Sequence, residues 1–213
     1  RDDFDILVAG QREALDRDLA RRQLGHGRGG RLKIEKDRVE VTAGVRHGRT
    51  LGGPIALQVA NRDYANWEER MNPWPVEGFE PDAVHLPRPG HADLVGAQKY
   101  GHDDIRNVLE RASARETAAR VAAGAVARKV LGEAVVVRAA LIQIGPHRIE
   151  RERWDWDQTL ANPYWCPDAA MVPVWEEHLE KVRKAGSSTG AIVEVEATGV
   201  PAGWGAPVYG KLD

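Results

Sequence analysis

The segment PRPGHADLVGAQKYG, residues 87–101, brings three kinds of reactive side chain together. Arg88 stands between two prolines, His91 follows Gly90, and Asp93 comes two residues later. Proline fixes φ and glycine lets another group approach the backbone closely. We therefore expect a stiff loop that holds a cation and a base against a small anion, with Asp93 orienting the imidazole or raising its pKa. The alternative is an ordinary packed or surface histidine, which is the commoner case for a single histidine.

A second candidate site lies at the start of an alanine-rich helix. Ser113 and Glu116 form the S-x-x-E pattern of a capping box, which predicts a helix N-terminus at Ser113. Arg111 precedes this point and Arg115 lies in the first turn, where a cation is unfavourable by ~0.3–1 kcal/mol. A bound anion would reverse that penalty, because helix N-termini are ready anion sites. The alternative is that both arginines reach outward to partners such as Glu110 or Glu116.

A glycine-rich loop supplies the third group of cations. The segment ARRQLGHGRGGR contains four arginines: Arg21, Arg22, Arg28 and Arg31. Backbone N–H groups and guanidinium forks in such a loop can converge on phosphate or carboxylate. It is not a Walker loop, because no G-K-[ST] follows, and a mobile turn with solvated arginines or an RGG-like RNA segment are the alternatives. Together the three features predict a site for a small substrate with several negative charges, and for a phosphate-bearing cofactor.

The composition is that of a globular protein whose positive charge is local. The chain has 213 residues, of which 42% are hydrophobic and 29% charged, so it can bury a core, and we expect a single domain over residues 1–213. The net charge of −2 argues against binding to nucleic acid or a membrane surface. No apolar run reaches the length of about 18 residues that a membrane span requires. The single cysteine, Cys166, predicts that there is no disulfide and that the protein occupies a reducing, cytoplasmic setting. The histidines lack the spacing of metal ligands, so we expect no metal site.

Hydrophobic periodicity predicts the elements that must position these residues. Four helices are predicted, over 12–23, 102–111, 113–132 and 172–186. Strands are predicted over 53–61, 134–145 and 191–199, and residues 31–44 as a hairpin turning near Lys36 and Asp37. The last helix should turn five side chains inward: Val174, Trp175, His178, Leu179 and Val182. Residues 62–90 should form a long surface loop, and hairpins mixed with helices indicate an α+β fold with mainly antiparallel sheets.

Long stretches of the chain resemble the chorismate synthase family. The most specific are RPGHAD, from Arg88 to Asp93, and R-x-S-A-R-E-T, from Arg111 to Thr117. Further segments similar to the family are RRQLGHGRGGRLKIEKDRVEVTAGVRHGRTLGGPIALQVANRD, NPYWCPDA and GAIVEVEATGVPAGWGAPVYGKLD. The resemblance runs from about Leu19 to the end of the sequence without a large gap.

The resemblance implies a carbon–oxygen lyase that converts 5-enolpyruvylshikimate 3-phosphate to chorismate and phosphate by anti-1,4-elimination, the last step of the shikimate pathway. It implies a requirement for reduced FMN with no net redox change, NADPH as a candidate reductant, a β-α-β sandwich of antiparallel sheets around helices, and a homotetramer. It also implies five arginines that hold the anionic groups of the substrate: Arg22, Arg28, Arg31, Arg88 and Arg115. By the same resemblance Arg111, Ala112 and Ser113 would contact FMN, and His91 would lie beside the flavin and donate or hold a proton.

Two parts of the family pattern have no counterpart in this sequence. The family begins with a G-E-S-H-G strand and continues past the KLD with which this sequence ends. His26 also stands in GHGRG, where the family usually has tyrosine. We therefore expect a partial chorismate synthase that by itself binds FMN weakly. The alternative is an inactive fragment that retains the fold and subunit contacts without catalysis.

Overall fold

The computed structural model describes residues 12–27, 36–80, 82–109 and 112–205. These residues fall into two compact units, one built from 12–23, 36–80, 82–109 and 112–127 and the other from 24–27 and 128–205. Helices and antiparallel sheets occur in the chain, so the predicted α+β class is confirmed. The single domain over residues 1–213 stays a prediction.

The first unit is built around two helices that share an apolar core. Helix α1 (Arg12–Arg22) and helix α4 (Glu116–Leu131) were both predicted from periodicity, and both form. Six buried residues make the core: Leu15, Leu19, Val39, Ala118, Ala122 and Ala125. Leucines four residues apart lie on one face of α1, and the small alanines of α4 let its backbone approach the neighbouring elements closely. The ends of these two helices are thereby fixed relative to each other.

A two-stranded sheet packs on this core. Strand β1 (Val39–Ala43) pairs antiparallel with β4 (Ala56–Val59), with Val39 opposite Val59. Between them lies a tight hairpin of β2 (Val45–Arg46) and β3 (Arg49–Thr50). Residues 36–38 are irregular before β1 and the Asp37 side chain is buried; the hairpin turning near Lys36 and Asp37 stays a prediction. The first strand of the predicted hairpin, in 31–35, lies outside the described residues.

The segment around His91 runs into a helix, where a stiff loop was predicted. Helix α2 (Asp93–Tyr100) ends at Gly101, and the short helix α3 (Arg106–Leu109) follows. The two helices approach closely at Gly96, where an added Cβ would collide with the Val108 side chain. The residues between β4 and α2 are mainly irregular, as predicted, apart from a 3₁₀ helix at Arg62–Asn66. The elements just after the RPGHAD string are therefore held by helix packing.

The second unit contains a three-stranded antiparallel sheet in the order β6-β5-β7. Its strands are β5 (Val136–Ile144), β6 (His147–Arg148) and β7 (Ala191–Thr198), with α5 (Gln158–Ala161), α6 (Val172–Lys184) and 3₁₀ turns at Arg151–Arg153 and Ala169–Met171 between them. Its core comprises Ala140, Ile142, Ile144, Ile149, Tyr164, Cys166 and Trp175. The inward position of Trp175 is confirmed. That of Val174 is wrong, because its side chain is exposed.

Among the described residues, no helix combines the length and apolar character needed to cross a lipid bilayer.

Candidate functional site

Two of the predicted arginines meet on one buried carboxylate. Arg22 donates from Nη1 to Oδ2 of Asp37 over 3.2 Å, and Arg115 donates from Nη1 to Oδ1 over 3.0 Å. The Asp37 side chain is 1% exposed, whereas those of Arg22 and Arg115 are 11% and 20% exposed. The carboxylate therefore lies behind the guanidinium groups, and the guanidinium groups lie nearer the solvent.

Backbone and hydroxyl acceptors fix the orientation of both arginines. Arg22 ends α1 and donates from Nε to Oγ1 of Thr117 and from Nη2 to the Ala114 carbonyl, at 3.0 and 3.1 Å. Arg115 donates from Nη2 to the carbonyl of Ala60, one residue after β4, at 2.9 Å. The core that packs α1 against α4 therefore also sets the distance between these two cations.

The cluster carries a net positive charge and unused hydrogen-bond donors. Two guanidinium groups face one carboxylate, so the three side chains of Arg22, Asp37 and Arg115 together carry a formal charge of one positive unit. Three of the five guanidinium hydrogens of Arg22 donate to the acceptors above. Within the described residues this leaves one hydrogen on Nη1 and one on Nη2, and such adjacent donors match the oxygens of a phosphate or carboxylate.

Three backbone N–H groups at the start of α4 have acceptors inside the preceding turn. Ser113 Oγ accepts from the Arg115 N–H at 3.2 Å, and the Glu116 and Thr117 N–H groups donate to the carbonyls of Ser113 and Ala114. The predicted helix start at Ser113 is therefore offset, because the regular helix begins at Glu116. These three N–H groups already have acceptors inside the turn and are not available to a bound anion.

Of the two partners suggested for Arg115 in the alternative, Glu116 pairs with another arginine and Glu110 lies outside the described residues. The Arg115 guanidinium points to Asp37 and is only 20% exposed. Glu116 instead accepts from Arg120 Nε at 2.8 Å, one helical turn further along. Ala112 and Ser113 lie immediately before this helix and are half-buried. The oxygen of the Ser113 hydroxyl accepts from Arg115, and among the described residues no acceptor is assigned to its hydrogen.

Arg88 and Asp93 form a tight ion pair at the start of α2. Asp93 Oδ2 accepts from Arg88 Nε at 2.9 Å and from the Arg88 backbone N–H at 2.8 Å, while Oδ1 accepts from Nη2 at 3.0 Å. The hydrogen bond from Arg88 is the main cause that lowers the pKa of Asp93 to about 2. The expectation that Asp93 orients the His91 ring is wrong, because the hydrogen bond assigned to that ring goes to the Pro89 carbonyl rather than to Asp93.

His91 is oriented by a carbonyl instead. Its Nδ1 lies 3.2 Å from the oxygen of Pro89, and the side chain is exposed. A carbonyl oxygen only accepts, so this hydrogen bond requires the hydrogen on Nδ1. Nε2 is consequently the ring nitrogen that can take up or release a proton toward a bound molecule.

The structure brings some of the predicted site residues together and leaves others undescribed. Arg22 and Arg115 share Asp37, and Arg88 and His91 lie on one short segment. Arg28, Arg31 and Arg111 lie outside the described residues. No group of three or more metal-ligating side chains occurs in the described ranges. The residue that sequence reasoning missed is Asp37, whose place in a charged K-D-R string resembles an ordinary turn.

The beginning of the arginine–glycine loop is anchored within the second unit. His26 Nδ1 lies 2.9 Å from the Tyr164 hydroxyl, the two rings stack with centroids 5.0 Å apart, and the His26 N–H donates to the Pro163 carbonyl at 3.1 Å. Tyr164 is buried. The NPYWCPDA string therefore holds the backbone just before Arg28 in the sequence.

Comparison with known proteins gives one consistent family. The family model described as chorismate synthase matches residues 4–213. Chorismate synthase of Gluconacetobacter diazotrophicus is 54% identical over 200 residues, covering 92% of this chain and 51% of that protein. Chorismate synthase of Rubrobacter xylanophilus is 56% identical over 196 residues, covering 91% and 50%. A crystal structure of chorismate synthase matches with a TM-score of 0.66 at 31% identity, covering 91% of this chain and 51% of that one. The chain thus spans about half the length of these relatives.

Proposed function

This chain belongs to the chorismate synthase family, and we propose that the protein containing it converts 5-enolpyruvylshikimate 3-phosphate to chorismate and inorganic phosphate. The observation that carries the proposal is the Arg22–Asp37–Arg115 cluster. The substrate has one phosphate and two carboxylates, so its recognition requires fixed cations with donors left over. Both arginines are held by acceptors on the protein, and Arg22 keeps two hydrogens for a further anion.

The arginines also suit the chemistry of the elimination. Negative charge grows on the phosphate oxygens as the carbon–oxygen bond breaks, and preorganised guanidinium groups stabilise that charge without rearranging. Arg22 and Arg115 meet this requirement because the protein fixes their orientation before any ligand binds. We assign Arg28, Arg31 and Arg88 to the other anionic groups of the substrate. Arg88 fits this role because its edge toward Asp93 is occupied while nearly half of its side chain is exposed.

The residues near α4 and α2 fit a reduced flavin. A flavin ring presents carbonyl and N–H groups along its edge, and its side chain ends in a phosphate. The Ser113 hydroxyl hydrogen and the exposed Nε2 of His91 offer the matching polar chemistry. We propose that Arg111, Ala112, Ser113 and His91 hold FMN and that His91 holds or donates a proton through Nε2. When bound, reduced FMN supplies electron density without a net redox change.

The remaining features of the proposal follow the family. We propose that the active protein is a cytoplasmic homotetramer and that NADPH is a candidate source of electrons for the flavin. These assignments concern the whole protein.

An anaerobic turnover assay tests the proposal. Protein expressed from its full reading frame is mixed with photoreduced FMN and 5-enolpyruvylshikimate 3-phosphate, and chorismate and inorganic phosphate are measured together. We expect equal amounts of the two products. Arg115→Gln should lower kcat/KM by about 100-fold or more through lost charge stabilisation. Arg120→Gln, which removes an exposed arginine from the same helix, is the matched control and should retain turnover. Absence of both products in the wild-type assay, or equal losses in the two variants, would contradict the proposal.

A further inference from the structure

We infer that Asp37 is a positioning residue that sets both the spacing and the net charge of the Arg22–Arg115 pair. The inference rests on the proposed function, because it assigns this pair to the anionic groups of the substrate. It adds a residue that does not itself touch substrate, and it states which kinetic constants that residue controls.

The guanidinium groups of Arg22 and Arg115 lie between the Asp37 carboxylate and the solvent. Its side chain is 1% exposed, and each of its oxygens accepts from a different arginine, at 3.0 and 3.2 Å. A carboxylate in this place cannot present its charge directly to an incoming phosphate. Its effect on an anion must therefore pass through the guanidinium groups in front of it.

The second step concerns the repulsion between Arg22 and Arg115. Two guanidinium groups that share one small site repel each other, and a shared carboxylate converts that repulsion into two attractive contacts. The three side chains together carry one net positive unit, and removal of the Asp37 charge adds one further positive unit to the site. Asp37 therefore moderates the attraction for any anion while it holds the donors in place.

These two effects predict opposite changes in binding and turnover. In Asp37→Asn, the extra positive charge should make binding of a simple anion tighter. The amide also places N–H donors against an arginine N–H, so one guanidinium loses its contact with residue 37 and shifts within its remaining hydrogen bonds. We expect inorganic phosphate to inhibit three- to tenfold more strongly, while kcat falls by about 10- to 100-fold. A residue with a purely structural role would lower the folded fraction and leave the inhibition constant unchanged.

Asp37→Glu tests the position of the carboxylate separately from its charge. It keeps the negative charge but lengthens the side chain by one methylene, so the guanidinium groups shift while the net charge of the cluster stays the same. We expect kcat to fall and phosphate inhibition to stay within about twofold of the wild type. This variant also carries the test if Asp37→Asn fails to fold, since loss of kcat in the folded Asp37→Glu protein supports positioning and wild-type kcat overturns it.

Two further aspartates give matched controls. Asp16 accepts from the Val39 N–H at 3.1 Å, so it ties α1 to β1 without an assigned arginine contact. Asp168 is as buried as Asp37 and also accepts from an arginine, Arg153, but it lies in the second unit. Asp16→Asn and Asp168→Asn should change thermal stability, and neither should reproduce the combination of lower kcat and tighter phosphate inhibition that is expected for Asp37→Asn in the folded enzyme.

The measurements are steady-state kinetics with inorganic phosphate as inhibitor, and a direct phosphate titration by calorimetry, on the full-length holoenzyme. Altered kcat together with tighter phosphate binding in Asp37→Asn, absent from both controls, supports the inference. Wild-type constants in a folded Asp37→Asn protein, or changes equal to those of Asp168→Asn, overturn it. If the wild-type protein lacks turnover, the proposed function fails. Calorimetry then compares the phosphate affinity of wild type and Asp37→Asn without any need for turnover. An unchanged phosphate affinity in Asp37→Asn overturns the inference.

Discussion

Asp93 binds Arg88 with both carboxylate oxygens and is itself fully buried. A third contact, from the Arg88 backbone N–H to Oδ2, closes the segment between them into a loop around Gly90 and His91. The pair therefore shapes the RPGHAD string in two ways. It fixes one edge of the guanidinium, and it positions the carbonyl of Pro89 that orients His91.

Acid should weaken this loop within a defined pH range. The pKa of Asp93 is lowered from 3.8 to about 2 by Arg88. A carboxyl group with a lowered pKa in the folded state contributes stability above its unfolded pKa, and that contribution is lost as the pH falls through the folded value. The free energy of unfolding should therefore differ between wild type and Asp93→Asn at pH 6, and this difference should shrink between about pH 4 and pH 2. Urea unfolding at several pH values measures it, and a pH-independent difference would contradict the assignment.

Replacing His91 should impair turnover without unfolding the protein. The side chain is exposed and its one assigned hydrogen bond goes to a local carbonyl, so its loss removes little packing. We expect His91→Ala to lower kcat by roughly 10- to 1,000-fold, the range for a positioned acid or base. His85→Ala, another exposed histidine of the same unit, is the control for a general effect of removing an imidazole. Unchanged kcat in His91→Ala would remove this residue from the mechanism.

Cys166 should resist thiol reagents in the folded protein. The side chain is fully buried, and burial raises the pKa of its thiol to about 11. Only the thiolate reacts, so at pH 8 both access and ionisation oppose modification. Ellman's reagent should therefore leave the native chain unmodified over minutes and modify one thiol per chain in urea. Rapid modification of the native protein, with its secondary structure intact by circular dichroism, would show that the thiol is accessible.

Two glycines after regular elements of the second unit offer a matched stability test. Gly199 has a φ of +73°, and an added Cβ would collide with the Ala134 carbonyl; Gly186 has a φ of +62° with open space around it. Gly186→Ala should cost about 1–2 kcal/mol from its left-handed conformation alone, while Gly199→Ala should cost clearly more. Chemical denaturation measures both free energies of unfolding, and equal costs would contradict the close approach at Gly199.

Periodicity predicted the elements whose apolar faces are buried. Helix α1 follows from Leu15 and Leu19, and helix α4 from alanines that recur every three or four residues. Helix α2 was missed because its large hydrophobic residues, Leu94, Val95 and Tyr100, are exposed and mark no inward face. Its boundaries depend instead on an acidic first residue and on packing against α3.

The sequence predicted the arginines of the candidate site but not its aspartate. Arginine clusters and the family strings pointed to Arg22 and Arg115 before any geometry was known. Asp37 carried no such signal, because its partners lie 15 and 78 positions away in the chain. A single carboxylate flanked by Lys36 and Arg38 is typical of a solvated turn. Only the packing of α1 and α4 around β1 places it between two guanidinium groups.

The same long sequence separations connect the cluster to the order of folding. Local helices form early, whereas contacts between distant segments bear the entropy of closing a long loop. The contact over 78 residues closes only when β1 has docked against the start of α4. We therefore expect this unit to bind a phosphorylated metabolite only once its native topology has formed. A partly folded chain with isolated helices should not bind that metabolite. Phosphate binding thus reports when the first unit has reached its final arrangement.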